Sequence, residues 1–352
     1  MIESAKLDNF RCFRSASAEA LKRINVIVGH NASGKTAFLE GLFFAFSTTP
    51  EIAFRLRSWR GLGEQFRVGL DAFSAETLWG DLFYNFDYRS PIVVTLKNYQ
   101  KKNRSVRVEM QGTQRSAIIH GRDDEEPIRT LPIRFTWKSF RGENLVVQPE
   151  FTAEGGVKIG ALATEVPAVF FHSTLTQSPA ELAARYSRLS RRNEEGSVLE
   201  ALQSEFPFVR ALSVEVNSGV PTVYAAVNSV PEKIPIGLVS SGVNKLLGLL
   251  LAIAESNSGA VFVDEVENGF YYDRLPQMWR LLLDFCERHN SQLFCTTHSQ
   301  ECLNSLLAPM TGREEAFSLI RVERNTKTDD RVLRAFQGTD LRAAIKQHAE
   351  IR

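Results

Sequence analysis

The 352 residues are 43% hydrophobic and 24% charged, which excludes a disordered or fibrous chain and leaves room for one large α/β domain or two smaller ones. The formal net charge of +1 excludes a global electrostatic signal for nucleic acid, so any DNA contact must come from a local patch. Cys12, Cys286, Cys295 and Cys302 show no C-x-x-C spacing, and no apolar run approaches the roughly 18 residues of a membrane span. Neither a zinc site nor a disulfide framework is indicated, and scattered cysteines without a signal peptide fit a reducing cytoplasm.

In chain order, residues 1–23 predict a strand, a turn at Asn9–Phe13 (NFRCF) and a second strand running back. Ile24–Val28 is a short β-branched run and predicts a buried strand. It leads into GHNASGKT, that is Gly29, His30, Asn31, Ala32, Ser33, Gly34, Lys35 and Thr36, and then into a helix-forming stretch to Phe46. Strand, glycine loop and helix are the context a phosphate loop requires. Backbone N–H groups converge there on phosphate oxygens, aided by the helix dipole. Gly29 and Gly34 stand where a Cβ would block backbone or ligand, Lys35 brings charge to the β- and γ-phosphates of ATP, and the Thr36 hydroxyl can ligate Mg²⁺.

Residues 47–90 are mixed, and the cluster Arg55, Arg57 and Arg60 reads as a basic face or, more commonly, as arginines packing their stems. Residues 91–160 carry four strand-like segments, PIVVTLKN, SVRVEMQG, IRFTWKSF and LVVQPEFT, with GRDDEEP as a charged turn. They predict an antiparallel layer appended after the first helix. Its basic residues Lys97, Lys101, Lys102, Arg104 and Arg107 read as an exposed, solubilising hairpin. After the apolar run VPAVFF comes a helix capped by Ser178 with Pro179 at its first position, then a second helix near SVLEALQSEF and a hairpin of SVEV with TVYAAV. Arg185, Arg188, Arg191 and Arg192 on that first helix read as a charged face or a nucleic-acid contact.

Three further motifs accompany the loop. Ser240-Ser241-Gly242 opens a long apolar helix, either as an anion site or as its N-cap. The strand Ala260–Val263 ends in Asp264-Glu265, where Asp264 would hold the Mg²⁺ shell and Glu265 would polarise the attacking water. A further strand, Gln292–Cys295, ends in TTHS, placing His298 where it could meet the γ-phosphate or the water.

The ordered set GHNASGKT, SSG before an apolar helix, VFVDEVENG and TTHS resembles ATP-binding-cassette ATPases of the SMC, RecF and OLD type, and DEVENGF is similar to a form found in OLD-like ATPases of bacterial anti-phage systems. The resemblance covers roughly 1–46 and 205–310. It implies a single phosphate-loop α/β head over residues 1–352: a mixed, largely parallel core (1–46 and 205–352) with an inserted antiparallel β layer and helical region (47–204). It also implies that Arg11 of NFRCF contacts nucleotide, and that Ser240 and Gly242 of one head close on the γ-phosphate held by another. Val243 replaces the usual Gln or Glu of the signature, Ser241 its first glycine, and Tyr271 or Tyr272 a His; Gln65 and Gln100 are candidates for the Q-loop glutamine, whose place the sequence leaves open.

The expected function is that of a cytoplasmic, Mg²⁺-dependent ATPase whose heads pair on ATP and switch a separate effector, a nuclease or toxin, in anti-phage defence. A RecF- or SMC-like DNA-binding ATPase of repair is the alternative, with DNA as a candidate ligand. A nuclease within this chain is disfavoured, because the residues after His298 show no plausible Toprim carboxylate set, with Asp329-Asp330 lying in a polar turn, and SMC heads need a long coiled coil that the sequence lacks.

Overall fold

Two six-stranded sheets face each other across the helix that follows the phosphate loop. The computed structural model describes residues 1–47, 49–60, 79–111, 129–130, 133–151, 157–158, 167–173 and 178–346. Gln65 and the charged turn GRDDEEP lie outside the described residues.

Along the chain, β1 (Ile2–Phe10) and β2 (Phe13–Ala18) form a hairpin, followed by β3 (Ile24–Val28), α1 (Lys35–Phe46) and α2 (Glu51–Ser58). Then come β4 (Ile92–Asn98), β5 (Asn103–Met110), β6 (Ile133–Lys138), β7 (Asn144–Val147) and β8 (Ala168–Phe171). Helices α3 (Pro179–Ser190) and α4 (Glu195–Glu205) precede the hairpin β9 (Val209–Asn217) and β10 (Val220–Val227). The chain continues through α5 (Ser241–Glu255), β11 (Ala260–Val263), α6 (Leu275–Arg288), β12 (Gln292–Thr296) and α7 (Gln300–Ser305). It ends in β13 (Phe317–Arg324), β14 (Arg331–Gln337) and α8 (Gly338–Lys346).

The central sheet has the order β8-β11-β12-β3-β13-β14, parallel except for its last strand. Its inner strands are buried on both faces, which is why they read as unbroken apolar runs rather than as alternating ones. Alternate residues serve two different cores: Val261, Val263, Leu293 and Cys295 face the helices α3–α6, whereas Phe262 and Phe294 face α1. The second sheet, β2-β1-β4-β5-β6-β7, is antiparallel and covers the opposite side of α1. A helix packed between two sheets needs no polar face, and from Ala37 to Phe46 every residue of α1 is buried. The antiparallel strands expected after the first helix are present, and they extend the N-terminal hairpin into a layer that completes the core.

Several charged clusters lie elsewhere than a surface reading places them. Arg104 is buried and donates to the carbonyls of Ala45 and Phe46, satisfying the C-terminus of α1. Its neighbours on the hairpin, Lys101 and Arg107, stay exposed as expected, paired with Glu3 and Glu109. Arg185 is buried between Glu181 and Glu255, and Arg188 pairs with Glu255, so these two arginines clamp α3 to α5. Ser178 holds the cap position of α3 with Pro179 behind it, but its side chain makes no capping bond.

Strand β8 joins the central sheet from within the stretch 47–204, pairing in parallel with β11. Its attachment is close: the Ala260 N–H donates to the Pro167 carbonyl at 3.0 Å, and a Cβ on Gly259 would lie 2.1 Å from that same oxygen. Gly259→Ala is expected to lower the unfolding free energy by about 1–3 kcal/mol, read as an earlier urea midpoint, because the backbone on both sides has no room to yield.

Candidate functional site

The parallel register brings four strand ends to one edge. Thr296 pairs with Ile27, Val263 with Cys295 and Phe171 with Val263, so the segments leaving β3, β8, β11 and β12 converge outside the carboxyl ends of the strands. The phosphate loop leaves β3. Gly29 (φ +147°) and Gly34 (φ +112°) adopt backbone that side chains resist, and a Cβ on them would meet the Val322 carbonyl at 2.4 Å and Cys12 Sγ at 2.7 Å. The chain's own packing therefore requires both glycines. Gly34 precedes α1 without a side-chain cap, and the first turn has no acidic residue, which leaves the helix N-terminus open to an anion. His30, Asn31 and Ala32 are exposed along the loop and Ser33 is buried beneath it. Lys35 Nζ lies 2.8 Å from the Gly29 carbonyl and 3.1 Å from that of His30, within the loop's curve. Burial lowers its pKa, against the field of Asp264, Glu265 and Glu267.

Asp264 is buried at the end of β11 and gathers hydroxyls. Thr36 Oγ1 lies 3.1 and 3.3 Å from its two carboxylate oxygens, Thr296 Oγ1 donates at 2.6 Å and Ser173 Oγ at 3.2 Å. Glu265 follows in a left-handed conformation (φ +53°), fixed at three points. Its N–H donates to Thr296 Oγ1, its carbonyl accepts from Lys245 Nζ, both at 2.8 Å, and its carboxylate accepts from Asn268 Nδ2 at 2.6 Å. His298 Nδ1 stands 3.7 Å from the Glu265 carboxylate and 3.4 Å from that of Glu267, which also accepts the His298 backbone N–H.

Beside the loop opens a cavity of about 510 Å³ lined by Arg11, Lys35, Thr36, Arg60, Asp81 and Phe86, among others. Arg11 (φ +50°) turns from β1 toward β2 and sets its guanidinium 3.0 Å from the fully buried Glu40 of α1, to which Arg60 also donates in bidentate fashion. Its Nη2 is buried and has no hydrogen-bond partner among the described residues. Arg57 pairs with Asp81 and Arg60 with Glu40, and Arg60 stays exposed, as does Arg55. Glu40 carried a usable signal in the sequence: a single carboxylate in an otherwise apolar helix needs buried cations.

Ser240 and Gly242 lie at a second cavity of about 570 Å³, with Phe206, Phe208, Gly269, Tyr271 and Arg274. Ser240 Oγ accepts the Val243 N–H at 3.0 Å, so the serine does cap α5, and a Cβ on Gly242 would meet the Gly269 carbonyl at 2.7 Å. Val243 points into the core, while Tyr271 and Tyr272 are exposed. Of the two glutamine candidates, Gln100 sits in the turn after β4, where Tyr99 meets Met1 and Ile2 bonds Gln292 at the start of β12. That is the opposite end of the sheet from the phosphate loop, so Gln100 is not a nucleotide ligand. Asp329 and Asp330 pair with Arg324, Arg331 and Arg14 in an ordinary ion-paired turn.

Comparison with known proteins agrees with this geometry. A family described as an AAA ATPase domain matches residues 1–112, and one described as "AAA domain, putative AbiEii toxin, Type IV TA system" matches residues 159–304. A Helicobacter pylori protein described as an ATP/GTP phosphatase is 24% identical over 334 residues, covering 87% of each chain. The fold superposes on that of an SMC head solved with the C-terminal winged-helix domain of ScpA, with a TM-score of 0.52 at 12% identity, covering 98% of this chain and 99% of that one. The chain is an ATP-hydrolysing enzyme: the families it matches are both AAA ATPase domains, and its fold is similar to that of an SMC head.

Proposed function

We propose that the chain is an ATP-driven switch subunit whose heads pair on ATP and control a separate effector, a nuclease or toxin, in bacterial anti-phage defence. One observation carries the pairing: the phosphate loop and the Ser240–Gly242 helix start line two different cavities of the same chain. A second head supplies what each lacks, with Ser240 and Gly242 of one meeting the γ-phosphate bound by Lys35 of the other. The exposed Tyr271 and Tyr272 beside the second cavity fit a surface that becomes covered. In this reading Glu265 activates the attacking water and His298 contacts the water or the γ-phosphate.

Mg²⁺ fits the residues present. Thr36 and Asp264 offer two converging hard oxygen donors, and no group of three His, Cys, Asp or Glu residues arranged to hold a metal ion occurs among the described residues. A cation held by few side chains and completed by phosphate oxygens and water is Mg²⁺ chemistry, and when bound it supplies charge neutralisation at the β- and γ-phosphates.

The effector reading draws on the AbiEii description of the matched family, and a cytoplasmic location goes with it. No helix among the described residues is long and apolar enough to cross a membrane. A DNA-binding ATPase of repair would need a basic face, yet Arg57, Arg60, Arg185 and Arg188 are engaged in internal ion pairs. Light scattering tests the switch. Glu265→Gln should double its mass with ATP and Mg²⁺, return to one head without them, and leave DNA uncut. Invariant mass under all conditions, or ATPase activity that requires DNA, would overturn this assignment.

A further inference from the structure

Lys245 is the one cation that the helix α5 sends into the site, and the loop after β11 is wound around it. Its Nζ donates to the Glu265 carbonyl at 2.8 Å and lies 6.0 Å from the centre of the Phe270 ring. Between those two points the loop passes Glu267, whose charge acts on the ammonium, and Gly269, which packs beside the lysine stem. Residues 265–270 thus form a collar around one side chain. The collar holds Glu265 where a side-chain-bearing residue rarely settles, at φ +53°. A left-handed glutamate reverts to ordinary backbone unless its surroundings fix it, and a reverted backbone turns the carboxylate away.

Four bonds oppose that reversion. Thr296, at the end of β12, takes the N–H, and Asn268 holds the carboxylate through its side chain and the carbonyl through its own N–H at 3.2 Å. Of the four, the bond from Lys245 is the one that comes from a helix. It lies five residues beyond Ser240, on the helix whose first turn lines the second cavity. Burying an ammonium is costly, and burial pulls this one down to about 8 despite Glu267 and Glu265. An apolar side chain would fill the same space without that penalty, so the charge is retained for the contact it makes.

We infer that Lys245 is a positioning residue for ATP hydrolysis, tying the Ser240 end of α5 to the backbone of Glu265 so that engagement of the helix start by a second head sets the catalytic carboxylate. This rests on the reading of Glu265 as the group that activates water. A shift of α5 moves the Glu265 carbonyl with it, because a 2.8 Å charge-assisted bond has little slack.

A double-mutant cycle between Lys245 and Glu265 tests this, with turnover, ATP affinity and ATP-dependent dimer mass measured for each variant. Lys245→Met should lower kcat about tenfold or more, while ATP affinity stays within about twofold and the mass still doubles. Lys245→Gln, which keeps a donor, should lose less and serves if the methionine variant folds poorly. Placed on Glu265→Gln, the lysine change should cost less than about twofold further, because its target is already disabled. Equal losses in both backgrounds, or parallel losses of kcat and ATP affinity, would show a merely structural role and overturn the inference. So would an unchanged kcat. Wild-type turnover by Glu265→Gln alone would instead overturn the assignment of the base, a separate result.

Discussion

Glu265→Gln is expected to bind ATP like the parent chain and to hydrolyse it about 10²–10⁴-fold more slowly. The amide keeps the shape of the carboxylate and can keep a contact to Asn268, so loop and fold stay as they are. What it loses is the capacity to take a proton from water. Lys35→Ala should fail earlier, at binding. The loop then presents N–H groups and a helix dipole but no mobile charge, and Asp264, Glu265 and Glu267 are left unopposed beside the phosphates. Binding of a fluorescent ATP analogue and release of phosphate separate the two outcomes. An E265Q variant that turns over at the parent rate removes Glu265 from its role, and an intact ATP affinity for K35A removes the phosphate loop from its own.

The elements around the nucleotide were legible because the chemistry of each is local. A β-branched run, a glycine loop and an apolar helix are read from neighbouring residues, and Ile24–Phe46 folds as that order requires. Asp264-Glu265 and His298 follow strands for the same reason, and the parallel register then gathers them. The partners of those residues were not legible. Ser173 reaches Asp264 only because β8, a four-residue run far from the other motifs, adds to the sheet edge beside β11. Nothing in VPAVFF announces that neighbour, since a short apolar run fits a buried strand or a helix equally.

Charge was the second blind spot. Arg60, Arg104 and Arg185 look like simple solvated side chains, because what engages an arginine is an acceptor distant in sequence. Glu40 lies 20 residues from Arg60, the Phe46 carbonyl 58 from Arg104, and Glu255 70 from Arg185. Lys245 belongs to the same class: on a helix read as apolar with a polar cap, a single lysine looks like a surface break. Its partner, the backbone carbonyl of Glu265, has no sequence signature at all.

Ser240→Arg and Lys35→Ala, each nearly inactive alone, should recover ATPase activity when mixed. Ser240 is exposed at the start of α5, so an arginine there is accommodated by the folded head, at the loss of a cap worth about 1 kcal/mol. Its own phosphate loop is untouched and ATP still binds. Its bulk and charge obstruct only what the Ser240 end has to meet. Lys35→Ala has the complementary defect, an intact helix start and no phosphate charge. In a two-fold pair of mixed heads, one composite site joins both lesions and the other joins the intact Lys35 loop to the intact Ser240 end. Half of the mixed dimers' sites are therefore complete. Random exchange at equal concentration makes half of the dimers mixed, so activity should approach about one quarter of the parent value if the two sites act independently. Differential tags confirm the mixed species, and exchange must precede the assay. Confirmed mixed dimers without recovery would mean that each head hydrolyses ATP with its own residues, and the two cavities would then serve separate purposes.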